Sequence, residues 1–213
     1  MQSTVLVLVG SFYPLHDGHL DILLTAKRAA ERVGPPVTEC RLIPTHPAAL
    51  RRKFPGLPPP RQFRDDRAEF AAPVLARRAG EFARTALVWD ASLVAPPRPG
   101  RHTAASVVLE MRAACAAAGS AVVQVFGADS VSLADRVFAT APIALPDLPP
   151  VVVVSDGRTA PADEAEGASV PVIFEPNPRH PPVSSTLLRQ RSPERYHRAT
   201  VARGCFTDCV DSA

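Results

Sequence analysis

Two histidines, His16 and His19, stand three residues apart in GSFYPLHDGHL, residues 10–20, directly before a run with helical spacing. Imidazoles placed in this way hold a metal, hold an anion at a helix start, or serve packing alone. At positions i and i+3 both rings project together from the beginning of the helix. Gly10 and Ser11 end an apolar run just upstream, so turn N–H groups and the positive end of the helix meet at one point. That point suits phosphate, because imidazoles donate hydrogen bonds to phosphate oxygens without carrying a permanent charge. Gly18, between the histidines, leaves room for a nucleotide to approach the backbone. A metal needs more: two histidines supply half a zinc site, and Asp17 and Asp21 are the only nearby candidates to complete it. Phosphate is the favoured reading, and no metal ligand set is assigned.

A second group with the same logic lies far downstream, in VSSTLLR, residues 183–189. Ser184, Ser185 and Thr186 follow two prolines and precede an apolar helix start; hydroxyls there cap a helix and also bind phosphate. Arg189, one turn on, is placed to fork onto the same anion. Alone, the stretch reads as an ordinary N-cap. Trp89, the single tryptophan, ends an apolar run and reads either as core or as a stacking wall for a flat base. Lys53 closes a basic triplet, Arg51-Arg52-Lys53, within reach of substrate phosphates or simply solvated. His46, His102, His180 and His197 carry no role beyond local hydrogen bonding.

The elements that must position these groups follow from periodicity. Residues 4–9 (TVLVLV) form a continuous apolar, largely β-branched run, the pattern of a strand buried on both faces. A helix is predicted over 18–33, with Leu20, Leu23, Leu24 and Ala30 on one face and Gly34-Pro35-Pro36 as its stop. Further strands are predicted at 37–43, 85–89, 121–126, 151–154 and 170–174, and a helix at 103–118 with Thr103 as N-cap and Gly119 after its end. Alternation of this kind specifies an α/β, doubly wound, mostly parallel sheet, with ligands at strand C-termini near the topological switch. Residues 44–60, proline-rich around the basic triplet, read as a mobile surface loop, and 184–213 as a C-terminal helical segment. The whole chain, 1–213, is expected to be one domain.

Composition narrows the classes. With 46% apolar residues the chain can build a core, and a net charge of +3 without a basic stripe argues against nucleic acid as partner. Cys40, Cys115, Cys205 and Cys209 show no CxxC pair, so reduced thiols are expected rather than a disulfide framework. The apolar start is too short for a membrane span or signal peptide, and a soluble cytoplasmic protein is expected.

The HDGH motif with SSTLLR strongly resembles the HxGH nucleotidyltransferase superfamily, and within it the nicotinamide/nicotinate mononucleotide adenylyltransferases. The first family motif matches Gly10, Phe12, Pro14, His16, Gly18 and His19, and the last matches residues 183–189. FGADS, with Gly127, Ala128 and Asp129, resembles the family's G-A-D segment, VWD at 88–90 its aromatic–acidic spot, and RHTAAS a helix that begins with a threonine. Arg67 sits where an arginine commonly opens the helix after the variable loop. The resemblance implies a Rossmann-like fold and transfer of AMP from ATP to nicotinamide or nicotinate mononucleotide. It implies catalytic roles for His16, His19 and Arg189. ATP would be bound by Gly10, Ser11, Phe12, Gly18, Gly127, Asp129, Ser184, Ser185 and Thr186, and the acceptor by Trp89, Lys53 and Thr103. Mg²⁺ would enter on the ATP phosphates. Enzymes of this kind often form homo-oligomers, although the sequence shows no interface. The competing readings are transfer to another acceptor, such as phosphopantetheine or another phosphometabolite, and a nucleotide-binding protein without catalysis.

Overall fold

A computed structural model describes residues 2–53, 67–91, 104–127, 151–155 and 172–176. The chain runs β1 (Ser3–Gly10), α1 (Asp17–Val33), β2 (Val37–Pro44), α2 (Pro47–Lys53), α3 (Arg67–Arg78), a 3-10 turn (Ala79–Phe82), β3 (Ala86–Trp89), α4 (Ala104–Ala117), β4 (Ser120–Gly127), β5 (Val151–Ser155) and β6 (Val172–Pro176). The strands form one sheet in the order β3-β2-β1-β4-β5-β6, and every neighbouring pair is parallel. The order reverses between β1 and β4, which creates a crevice at their carboxyl ends.

Strand alternation sends successive side chains of β1 into two different cores. Leu6 and Leu8 join Cys40 and Leu42 of β2 and Val123 and Val125 of β4 against α1, with Ala71, Val74 and Phe82 completing that layer. Val5 and Val7 join Ile43 and Val122 on the other side, beneath Val107 and Val108 of α4. A central strand clamped between helices on both faces must be apolar throughout, which is why residues 4–9 read as one run.

The ends of the elements follow from local bonds. Gly34 terminates α1, its N–H donating to the Ala30 carbonyl at 2.9 Å. Strand β3 starts one residue later than the pattern predicts, because Thr85 donates its N–H to Phe82 and its hydroxyl to the Val37 carbonyl. One expectation is corrected. Residues 44–60 are not a loop throughout: Pro44 ends β2, and residues 47–53 form α2. His46 starts that helix, with Ala49 and Leu50 donating to its carbonyl and Ala48 donating to its Nδ1 at 3.1 Å. Leu50 anchors the helix by burying its side chain. Cys40 is fully buried and free, and burial pushes its thiol pKa up to about 12; Cys115 is also free. Among the described residues, no helix is long and apolar enough to cross a membrane.

Candidate active site

Gly10 is the last residue of β1, and its position is dictated by its neighbour. A Cβ on Gly10 would lie 2.8 Å from Cε1 of Phe12, closer than real contacts allow. The chain turns there because Phe12 takes a left-handed backbone, φ 42°, rare for a bulky residue and held only where the surroundings insist. The insistence is visible: the Phe12 ring is 2% exposed, edge-on to His19 at 5.1 Å and tilted against Trp89 at 5.7 Å.

His16 and His19 come together at the start of α1 as that turn delivers them. His16 is the N-cap residue, in extended conformation, and its carbonyl accepts the His19 N–H at 3.0 Å. In return the His16 N–H donates to Nδ1 of His19 at 3.2 Å. The arrangement is a capping box with an imidazole in the place usually held by a glutamate. The ring centroids are 3.9 Å apart. Because Nδ1 accepts, the proton of neutral His19 sits on Nε2, where it is a donor. The His19 pKa lies well below its ordinary value through desolvation in this enclosed position, then through the His16 imidazole and the Lys53 ammonium. The neutral donor form is therefore the form at neutral pH.

Two arginines missed by sequence reasoning as site residues fix this corner. Arg67, 3% exposed, donates to the Ser11 carbonyl at 2.9 Å and to the Thr45 carbonyl at 2.8 Å. Thr45 in turn donates its N–H to the Gly10 carbonyl at 2.8 Å, so the turns after β1 and β2 are bolted together. Arg78, at the end of α3, bonds Asp17 at 3.1 Å and Asp21 at 2.7 Å on α1. Arg77 adds two bonds to Asp17 at 2.8 and 2.9 Å. These arginines hold the Asp17 carboxyl below its ordinary pKa against the opposing effect of burial.

The sequence-derived site residues fall into three groups. Gly10, Ser11, Phe12, His16, Gly18 and His19 form one corner at the end of β1 and the beginning of α1. Phe12 enters that corner through its ring as well as its backbone. Trp89 packs on the core and tilts against the Phe12 ring of that corner. Lys53, at the end of α2, contributes its charge at His19. Gly127 ends β4 across the crevice from Gly10. Thr103, Asp129, Ser184, Ser185, Thr186 and Arg189 lie outside the described residues. Asp90, next to Trp89, is bonded to Arg41 at 3.0 Å, and Arg41 also pairs with Glu39. Among the described residues no group of three or more His, Cys, Asp or Glu could hold a metal ion.

No protein-family model and no curated protein sequence matches the chain. Solved structures do match. The nicotinic acid mononucleotide adenylyltransferase of Plasmodium falciparum complexed with APC superimposes with a TM-score of 0.59 at 10% identity, over 88% of this chain and 82% of that one. The same enzyme complexed with NaAD gives 0.57 at 10% identity, over 88% and 83%. The chain has the fold of these adenylyltransferases. The β1–α1 corner and the β1/β4 crevice are thus parts of the fold shared with those solved structures.

Proposed function

We propose that the protein transfers the AMP moiety of ATP to the 5′-phosphate of nicotinamide or nicotinate mononucleotide, giving NAD or deamido-NAD and pyrophosphate. The observation that carries this reading is the His16–His19 capping pair at the crevice, with the His19 Nε2–H left as a donor. The shared fold supports it. The two end motifs, which resemble those of the HxGH nucleotidyltransferases, support it as well.

Adenylyl transfer needs no enzyme nucleophile. An acceptor phosphate oxygen attacks the α-phosphorus of ATP in line, a P–O bond forms, and the bond to the β-phosphate breaks with its electron pair leaving on pyrophosphate. The protein's part is to align the two phosphates and disperse moving charge. His19 donates from Nε2 to an α-phosphate oxygen, and His16 serves the neighbouring β-phosphate. Turn N–H groups after Gly10 and the α1 dipole add positive potential, as does Lys53. Ser184, Ser185, Thr186 and Arg189 hold the β- and γ-phosphates, and Asp129 the adenosine ribose. Trp89 stacks on the acceptor ring, and Thr103 is assigned to acceptor binding. Mg²⁺ would enter on the ATP phosphates and supply further neutralisation of their charge; Asp17 and Asp21, at the start of α1, are bonded to arginines.

The test offers the purified protein ATP and Mg²⁺ with nicotinamide mononucleotide, nicotinate mononucleotide or phosphopantetheine in parallel, following pyrophosphate and coupled product. A dinucleotide from a pyridine mononucleotide, equimolar with pyrophosphate, is the expected outcome and reveals base preference. Product from phosphopantetheine alone, or from none of the three by folded protein, overturns the reading.

A further inference from the structure

The arginine pair at the end of α3 does more than close a surface where it meets α1. Asp17 and Asp21 are four residues apart and share one face of the helix. At about 100° per residue, His19 lies about 200° round from Asp17, on the opposite side. Arg78 reaches both carboxylates with one guanidinium: Asp17 at 3.1 Å, and Asp21, itself 2% exposed, at 2.7 Å. The Nη2 that bonds Asp21 also bonds Glu81 at 2.8 Å in the following 3-10 turn, which ties the guanidinium to its own segment as well as to α1. Arg77 closes on both oxygens of Asp17. The first turn of α1 is thereby fixed about its own axis from behind, while Phe12 confines the His19 ring from the front. Neutralisation matters as well. An unpartnered carboxylate at the first helical position would compete with an incoming phosphate for the same N–H groups and dipole.

We propose that Arg78 is a positioning residue for the histidine pair, holding α1 in the rotation that keeps the His16 N–H on Nδ1 of His19 and so keeps the Nε2–H turned to the phosphates. The inference rests on the reading of function above for its catalytic consequence, but not for its geometry.

The experiment measures both. Long-range proton–nitrogen NMR on the substrate-free protein reports which His19 nitrogen carries the proton. Steady-state kinetics separate kcat from the KM for ATP. The wild type is expected to show the Nε2–H tautomer alone. Arg78→Gln is expected to show mixed tautomers and a kcat about 10- to 100-fold lower, with the KM for ATP changed by no more than about threefold, the pattern of a misplaced reacting group. Arg78→Lys, a point charge that cannot bridge two carboxylates, is expected to recover only part of this. An unchanged tautomer in folded Arg78→Gln overturns the proposal, and so does mixing without loss of kcat. Should Arg78→Gln fail to fold, Asp17→Asn, which removes one of the two gripped carboxylates, is read by the same criteria with a smaller expected shift. A wild type that forms no dinucleotide defeats the functional reading, and the tautomer measurement then decides the positioning claim by itself.

Discussion

Replacing Gly10 by alanine is the sharpest probe of how the corner is packed. The new Cβ would sit 2.8 Å from Cε1 of Phe12, 3.0 Å from Cζ and 3.2 Å from Cδ1. Gly10 ends a strand whose neighbour on one side is Pro44, so the backbone has no slack there. The ring must move instead. It is buried between His19 and Trp89, and its own backbone is already in the left-handed region. Overpacking of this kind costs about 1–3 kcal/mol. At about 2–4 °C per kcal/mol for a domain of this size, a loss of about 2 kcal/mol lowers Tm by about 4–8 °C. The displaced ring carries His19 with it, and turnover should fall about tenfold or more. Scanning calorimetry gives the first number, and near-ultraviolet circular dichroism reports the changed setting of Trp89. The double variant Gly10→Ala/Phe12→Leu removes the clashing edge, so the two substitutions should couple favourably by about 0.5–3 kcal/mol. A Gly10→Ala protein that melts within about 1 °C of wild type, or strict additivity in the double variant, refutes the packing argument.

Three further outcomes follow from the same geometry. Arg67→Met leaves the Ser11 and Thr45 carbonyls without their charged donor, and at about 1.5–3 kcal/mol for such a bond the loss should be among the largest of any single substitution here, read by chemical denaturation. The His19 pKa is depressed in the folded protein, so its contribution to stability is complete above the unfolded value near 6.5 and is lost as pH falls below it. Melting between pH 7.5 and 5 should therefore drop more steeply for wild type than for His19→Gln; parallel curves would contradict the assignment. Lys53→Ala, at an exposed position, should leave Tm unchanged, raise the His19 titration midpoint by NMR and weaken ATP binding.

What could be read from the chain in advance was local. A six-residue apolar run, a Gly-Ser turn and a helix pattern identify β1, the turn and α1, because those signals lie within one stretch of sequence. The strand series with intervening helices was enough to expect the doubly wound sheet, and the strands do lie in the order 3-2-1-4-5-6. Helix α2 was hidden by proline density, although Pro47 at the first helical position and Ala48-Ala49-Leu50 after it are helix-compatible. The roles of Arg67 and Arg78 were not legible, since their partners are 22 to 61 residues away in sequence and only the packing of α3 against the sheet brings them together. Phe12 was read as one ATP-binding residue of the turn, because the side chain's place between His19 and Trp89 depends on a positive φ that no local pattern announces. For the same reason the packing of Trp89 on Phe12 and the core could not be read from sequence.

The central claim is that His19 donates from Nε2 to the reacting phosphate, and the turnover of His19→Ala with ATP and the better pyridine mononucleotide tests it most directly. Removal of one such donor typically costs about 10²–10³ in kcat, so a loss of that size is predicted for a variant whose far-ultraviolet circular dichroism and chromatographic elution match the wild type. Turnover within about threefold of wild type would contradict the account, since a fully formed donor of this kind cannot be dispensable.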